Sequence, residues 1–198
     1  FRGRNLNSGF ELFKTNGNLS DASLVSDIDG SSANGFVGRF LTANSNMIFF
    51  DGRISSLGTE LWKSNGSFSG TIIVKDIYSG FEDGLDYQTV FSFIGETLYF
   101  TGRNANGTEL WKSDGTLAGT LLVKDIMPGS NSSAILYMST INGQLYFSAR
   151  QELVENKNYE YIKLCIKIYE TYLNIGNYNK SFEIIDQTIL QTFIYVEV

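Results

Sequence analysis

Gly107-Thr-Glu-Leu-Trp-Lys-Ser-Asp-Gly115 is one of three versions of the same stretch in this chain. The other two are Gly58-Thr-Glu-Leu-Trp-Lys-Ser-Asn-Gly66 and Gly9-Phe-Glu-Leu-Phe-Lys-Thr-Asn-Gly17. A step of 49 residues separates the glutamates of the three versions, and also three aspartates farther along: Glu11, Glu60 and Glu109, then Asp27, Asp76 and Asp125. A constant period of about 20–50 residues is typical of repeated units that bury their apolar faces against one another. The sequence therefore predicts a repeat array.

Each period contains the signals of four short strands. In the last copy, residues 138–141 and 144–147 flank Asn142-Gly143, a dipeptide that supplies the positive φ angles of a type I′ hairpin turn. The corresponding strands one period earlier are separated by residues 94–96, and two more β-rich segments follow at 109–113 and 120–126. Four antiparallel strands in about 49 residues form a unit the size of one propeller blade. The expected fold class is mainly β, a partial propeller-like array of about three four-stranded antiparallel units.

Aromatic residues recur at two positions of the repeat. One position holds Phe13, Trp62 and Trp111, and the other holds Phe1, Phe50, Phe100 and Phe147. We interpret them as core between units, because burying each side chain contributes on the order of 1.5–3 kcal/mol. The alternative is an exposed aromatic platform for a sugar or a peptide. Gly52 and Gly102 lie within predicted strands, where glycine marks a bulge or a close approach of the backbone.

The stretch Glu109-Leu-Trp-Lys-Ser-Asp-Gly-Thr116 resembles the ELWxxDGT repeat of large, often secreted bacterial proteins. The resemblance covers residues 1 to about 150. It implies a repetitive, propeller-like β structure, an extracellular or cell-surface role, and no catalytic residues. The repeat-signature residues are then structural: Glu11, Phe13, Gly17, Asp27, Glu60, Trp62, Gly66, Asp76, Glu109, Trp111, Gly115 and Asp125.

The first copy departs from this pattern. Phe13 stands in place of tryptophan, Asn16 in place of aspartate, and Asp21 where Gly70 and Gly119 close the loop in the other copies. These departures leave the turn geometry of the first unit open, but not its membership of the array. In the second copy Asn65 replaces the aspartate of the motif.

Composition and periodicity change near residue 151. The fourth copy opens at 145–150 and then stops, and of the 20 glycines only Gly176 lies beyond it. Apolar residues then recur at spacings of three and four, which indicates two helix faces: Tyr161, Leu164, Cys165, Ile168, Tyr172 and Ile175, then Tyr178, Phe182, Ile185, Ile189 and Phe193. Gly176 suits the end of the first helix and Asn177 the N-cap of the second. The expected domains are a β-repeat array at 1–150 and a helical hairpin at 151–198.

This hairpin is similar to a single tetratricopeptide repeat, on the spacing of Tyr169, Tyr172, Gly176, Tyr178 and Ser181. Two interpretations stay open. The hairpin caps the open edge of the last β unit, or it is an unrelated piece joined to the array. The change falls inside a predicted strand rather than in a linker, which favours the second.

The residue types for most catalytic chemistry are absent from the sequence. The chain has no histidine and one cysteine, Cys165, so Ser-His pairs and zinc sites are excluded. Asp27-Ile-Asp29-Gly30 begins like a calcium loop but lacks the glycine and glutamate that an EF-hand needs farther on. We expect no cofactor and no metal. Glu60 and Glu109 as paired glycosidase carboxylates are an alternative to a structural role.

The repeated aspartates have a structural interpretation as well. We expect Asp27, Asp76 and Asp125 to cap backbone amides where a strand ends, with Lys75 and Lys124 beside the last two as solvated partners.

Charge and hydropathy limit the partners. The net charge of −6 is spread without a basic cluster, which argues against nucleic acid, and no apolar run is long enough to span a membrane. Because Phe1 falls in the middle of a repeat strand, we expect neighbouring repeats in a longer parent chain. The favoured function is a non-catalytic repeat scaffold that binds a protein or glycan ligand outside the cell or at its surface. The alternatives are a ligand-binding or glycan-active propeller that needs the full ring, and a cytoplasmic helical interaction module with passenger β repeats.

Overall fold

A computed structural model describes residues 1–152 and 159–163 of the chain. The fold is mainly β and consists of antiparallel sheets, as the repeat pattern predicts. In every sheet the strand order follows the chain order, so each sheet is a meander.

The first sheet has three strands and the second has four. The first contains β1 (Arg2–Asn5), β2 (Gly9–Lys14) and β3 (Ser23–Ser26), with a 3₁₀ turn at Leu19–Asp21 between the last two. The second contains β4 (Phe36–Ala43), β5 (Ile48–Ile54), β6 (Gly58–Ser64) and β7 (Ile72–Lys75).

The third sheet repeats the four-stranded meander and the fourth has three described strands. The third contains β8 (Phe91–Ile94), β9 (Thr97–Asn104), β10 (Gly107–Ser113) and β11 (Leu121–Lys124). The fourth contains β12 (Met138–Ile141), β13 (Gln144–Glu152) and β14 (Tyr159–Lys163). The signature stretches fall on β2, β6 and β10.

The predicted hairpin turn between β12 and β13 is confirmed. Asn142 has a φ of 53° and Gly143 a φ of 74°, and Ile141 pairs with Gln144 across them. Two successive positive φ angles are what a type I′ turn requires.

By proximity the chain divides into two compact units. The first contains Phe1–Thr89, Gly102–Ala105 and Ser113–Leu121, and the second contains Val90–Thr101, Asn106–Lys112 and the described residues from Leu122 onward. The core of the first unit joins the first sheet to the second: Leu12, Val25, Ile28, Phe36, Phe50 and Trp62. The core of the second unit consists of residues of the third and fourth sheets and of the loop that follows β11, and Leu110, Ile126 and Phe147 in it correspond to Leu12, Ile28 and Phe50 of the first core: Tyr99, Leu110, Ile126, Ile135, Leu145, Phe147 and Ala149.

The interpretation of the repeated aromatics as core agrees with their burial in three of the four copies. Trp62 and Trp111 are 6% and 5% exposed, and Phe50, Phe100 and Phe147 are at most 3% exposed. The first copy differs, because Phe13 is half-buried and Phe1 is 48% exposed.

The predicted start of the first helix is wrong where the structure describes it. Tyr159–Lys163 form strand β14, which pairs antiparallel with β13, and β13 itself runs past residue 150. A Tyr-Glu-Tyr-Ile-Lys segment suits a strand, and the edge of β13 offers it backbone partners. The rest of the predicted hairpin, including Cys165, Gly176 and Tyr178, lies outside the described residues.

The register of β14 shows how the fourth sheet differs from the others. Gly52 on β5 lies opposite Glu60, whereas Ala149, its counterpart on β13, lies opposite Ile162. The fourth sheet therefore has a strand in the place of the signature strand, but the position of the signature glutamate is held by isoleucine.

Candidate functional site

The signature glutamates, Glu11, Glu60 and Glu109, are the most distinctive polar feature of the fold. The exposed fraction of each side chain is 0%. Glu60 accepts two backbone hydrogen bonds, from Ile77 N to Oε2 at 2.8 Å and from Gly84 N to Oε1 at 2.9 Å. Its carboxylate therefore holds the loop that leads from β7 towards the third sheet.

The other two signature glutamates make the same pair of bonds at the same spacing. Glu11 accepts from Ile28 N at 3.0 Å and Gly35 N at 2.8 Å. Glu109 accepts from Ile126 N at 2.8 Å and Ser133 N at 3.0 Å. A buried carboxylate is stable when backbone donors satisfy its oxygens, and each loop has two such donors.

We call the second donor in each loop the link residue: Gly35, Gly84 and Ser133. The carbonyl group of each link residue accepts a further bond from the second strand of the next sheet. Arg53 N donates to Gly35 O at 2.7 Å, Arg103 N to Gly84 O at 2.8 Å, and Arg150 N to Ser133 O. One residue thus joins the signature glutamate of one repeat to the backbone of the next.

Burial shifts the ionisation of these glutamates. Desolvation raises the pKa of Glu60 to about 8, although the N–H groups of Ile77 and Gly84 favour the charged form. The pKa values of Glu11 and Glu109 are raised to about 7, again chiefly by burial. The nearby carboxylates of Asp27, Asp76 and Asp125 add to the increase in each case.

The aromatic residue of the signature packs on a glycine of the preceding strand. A Cβ on Gly52 would lie 2.5 Å from Trp62 Cδ1, and a Cβ on Gly3 would lie 2.5 Å from Phe13 Cδ2. The aromatic ring therefore packs directly on the backbone of this strand glycine, and a side chain at the glycine position would displace the ring.

Polar side chains close the turn after the signature strand. Asp114 Oδ1 accepts from the N–H of Thr116 at 2.8 Å and from its hydroxyl at 2.7 Å. Ser113 Oγ accepts from Gly115 N at 3.0 Å, and Gly119 N donates to Thr116 Oγ1 at 2.9 Å. Asn65 and Ser67 repeat these bonds in the second copy, so asparagine and aspartate serve equally here.

The first copy keeps part of this turn, because Gly17 N donates to Thr15 Oγ1 at 3.1 Å and Asn18 N donates to Asn16 Oδ1 at 3.1 Å, but the residue that closes the loop differs. A Cβ on Gly119 would lie 2.1 Å from Asp114 Oδ1, and one on Gly70 would lie 2.0 Å from Asn65 Oδ1. The first copy has Asp21 at this place, and there the chain forms the 3₁₀ turn Leu19–Asp21.

The signature lysine joins neighbouring copies. Lys14 Nζ donates to Gly66 O at 2.8 Å, and Lys63 Nζ donates to Gly115 O at 2.6 Å. Each lysine therefore reaches the turn glycine of the next copy. Lys75, which the sequence analysis places beside Asp76 as a solvated partner, is part-buried, and its amine donates to Thr120 O at 2.7 Å.

The repeated aspartates act on their own loops. Gly30 N donates to Asp27 Oδ1 at 2.9 Å, and Gly80 N donates to Asp76 Oδ2 at 3.4 Å. Oδ1 of Asp76 and Oδ1 of Asp125 are buried without a hydrogen-bond partner in the described structure.

The beginning of a calcium loop at Asp27 has protein partners. Asp29 Oδ1 accepts from Ser55 N at 2.9 Å, and its Oδ2 accepts from the Ser31 hydroxyl. In residues 1–152 and 159–163 no three His, Cys, Asp or Glu side chains converge as metal ligands. The same residues contain no helix of the length and hydropathy that a membrane crossing needs.

An open cleft of about 470 Å³ lies between the first and second sheets, within the first compact unit. Phe1, Phe13 and Met47 contribute apolar surface, and Lys14, Asn44 and Asn65 contribute polar groups at its rim. The cleft coincides with the copy in which phenylalanine replaces the signature tryptophan.

Comparison with models of protein families, with curated proteins and with solved structures gave no match.

Sequence reasoning missed the link residues and the arginines that bind them. Gly35, Gly84 and Ser133 keep the 49-residue step, so the period was a usable signal for their position. Their role was not predictable, because a backbone N–H and a backbone C=O carry it.

Proposed function

We propose that this chain is a section of a non-catalytic repeat scaffold, in which successive β meanders hold one another in register and present their loops for binding. The resemblance to the ELWxxDGT repeat supports this proposal and points to an extracellular or cell-surface setting. The four-stranded meanders are compatible with blades of a propeller-like array.

The observation that carries the proposal is the use of the signature residues. Both oxygens of Glu60 bind backbone N–H groups, and its side chain is fully buried. A general acid or nucleophile has to reach substrate, whereas this carboxylate faces the protein backbone. Trp62 packs on Gly52, and the Lys63 amine donates a hydrogen bond to the next copy. The signature side chains therefore hold neighbouring strands and copies together.

The direct test is a search for turnover combined with a search for binding. The purified chain is incubated with panels of chromogenic glycosides and peptides, and is screened separately against immobilised glycans. We expect no turnover of any substrate in the panels. If a ligand binds, we expect its saturable binding to be retained in the E60Q and E109Q variants. The circular dichroism spectrum of each variant, compared with that of the wild type, reports whether it is folded.

Hydrolysis by the wild-type chain that disappears in folded E60Q or E109Q would contradict the scaffold proposal. It would favour the alternative in which the signature carboxylates act on a glycan. Because neither carboxylate is exposed, such a result would also require the loops at Gly84 or Ser133 to open.

A further inference from the structure

The loop that leads from β7 to β8 exposes an aromatic side chain where the other copies have serine. Phe81 is 75% exposed, and it corresponds to the exposed residues Ser32 after β3 and Ser130 after β11. The three loops are equal in length, because each signature glutamate accepts from the residues 17 and 24 positions farther along the chain. The loops therefore differ in their side chains rather than in their link to the signature strand.

A further bond common to the three loops shows that the Phe81 ring is not needed to form them. In each copy the side chain just before the link residue accepts from the backbone of the signature strand. The three bonds are Phe10 N to Asn34 Oδ1 at 3.0 Å, Thr59 N to Asp83 Oδ1 at 2.7 Å and Thr108 N to Ser132 Oγ at 3.0 Å. Two copies make this loop with serine in place of Phe81, and an exposed ring gains little stability from burial.

The two residues that follow the exposed ring form ion pairs with arginines of β5 and β9. Arg53 Nη1 lies 3.0 Å from Asp83 Oδ1, and Arg103 Nη2 lies 3.7 Å from Glu82 Oε2. The four side chains are 34–47% exposed. The Arg103 guanidinium also lies over the half-buried Tyr78 ring, 5.2 Å from its centroid. Solvent therefore meets N–H donors and carboxylate acceptors side by side, next to aromatic surface.

This combination suits a neutral sugar chain. The charges of the two ion pairs cancel, so these four side chains together attract neither an anion nor a cation strongly. A sugar ring has an apolar C–H face, which packs on the electron-rich face of an aromatic ring. Its hydroxyl groups both donate and accept, which matches arginine beside carboxylate.

We propose that residues 78–83, together with Arg53 and Arg103, form a binding site for a neutral glycan. The Phe81 ring stacks on a sugar ring, and Glu82 and Arg103 bond its hydroxyl groups. The inference rests on the proposed scaffold function and names the ligand class of one of its loops.

The test titrates the full chain, labelled with ¹⁵N, with three soluble neutral polysaccharides: a β-glucan, a mannan and a galactan. Calorimetry measures the affinity, and amide shifts locate the site. We expect saturable binding of at least one of the three, with shifts at residues 78–83 and at Arg103. The corresponding residues 29–34 and 127–132, which have serine in place of Phe81, should not shift.

Two phenylalanine variants make the result specific. Phe81→Ser introduces the residue of the first and third copies, so the loop should keep its backbone. Phe68→Ser is the matched control, because Phe68 is 73% exposed in the turn after β6. We expect F81S to bind at least about tenfold more weakly, since an aromatic anchor dominates such a contact, and F68S to bind like the wild type. An unchanged Gly84 amide signal in F81S reports that the bond to Glu60 persists.

Three results would overturn the proposal: no binding of any of the three polysaccharides, equal affinity of F81S and the wild type, or tighter binding of heparin than of the neutral chains. A peptide from a display library that binds the wild type but not F81S, when no neutral polysaccharide binds, would assign the loop to a protein partner and overturn it too. All of these results leave the scaffold function in place, because the turnover assays on the wild type, E60Q and E109Q decide it separately.

Discussion

The Gly84 N–H donates to Oε1 of Glu60 at 2.9 Å, and a Cβ on Gly84 would lie 2.3 Å from Oε2 of the same carboxylate. At Gly84 the carboxylate occupies the space that a side chain would need, whereas in the third copy Ser133 N makes the equivalent bond to Glu109. The Gly84 carbonyl then accepts from Arg103 N at 2.8 Å. Cohesion between successive repeats thus depends on a glutamate and a backbone unit next to it.

Gly84→Ala is expected to destabilise the fold by about 1–3 kcal/mol, because the methyl group displaces Glu60 from its two backbone donors. The third copy offers the control, since its link residue is Ser133, whose hydroxyl donates to Thr108 O at 3.1 Å. Gly84→Ser should therefore cost less than Gly84→Ala. Urea unfolding at constant pH measures the free energy of unfolding of both variants. A larger loss of stability in Gly84→Ser than in Gly84→Ala would contradict this expectation.

The buried glutamates should make the stability of the fold depend on pH. The pKa of the Glu60 carboxyl group is about 8 in the folded protein and 4.5 in the unfolded chain, so the group stays protonated up to a higher pH in the folded state. Its contribution to stability is therefore complete below pH 4.5 and is lost as the pH rises to about 8. We expect the free energy of unfolding to decrease over this window, and urea titrations at pH 5, 6, 7 and 8 measure the slope.

Glu60→Gln assigns part of that slope to one residue. The amide cannot ionise, so the decrease between pH 5 and pH 8 should be smaller than in the wild type. The variant should also be less stable at pH 5, because the amide nitrogen faces a backbone N–H donor. Glu96, an exposed glutamate in the turn between β8 and β9, is the matched control. If E96Q and E60Q flatten the slope equally, the assignment to the buried carboxyl is wrong.

The cleft beside Phe13 predicts a stabilising substitution. Phe13 packs on Gly3 in the same way as Trp62 packs on Gly52. Phe13→Trp should fill part of the 470 Å³ cleft and raise the free energy of unfolding by about 0.5–2 kcal/mol. Trp62→Phe is the reverse change in the second copy and should lower it by about 1–3 kcal/mol. Loss of stability in F13W would show that the first copy cannot accept the signature aromatic.

The repeat period was sufficient to predict a mainly β fold of antiparallel strands. The burial of Trp62 and Trp111 could also be predicted, because a large aromatic side chain at the same position of successive copies is stabilised by packing in the core. The role of Glu60 was harder to predict, since a repeated glutamate suits a channel mouth as well as a backbone contact. Only the distances to Ile77 N and Gly84 N separate the two. The helix expected from Tyr161 onward failed at β14 because spacings of three and four in a short segment do not exclude a strand that finds an open edge at β13.

The signature turn gives the last prediction. Asp114 bonds the N–H and hydroxyl of Thr116, and these bonds lower its pKa. Asp114→Asn should change stability by less than about 0.5 kcal/mol at pH 7, because Asn65 makes the same contacts to Ser67 in the second copy. Gly119→Asp, the residue of the first copy, should cost about 1–3 kcal/mol, since its Cβ would meet the Asp114 carboxylate. Thermal unfolding at pH 7 compares the two, and a stable G119D would mean that this loop, like Leu19–Asp21, can rearrange without loss.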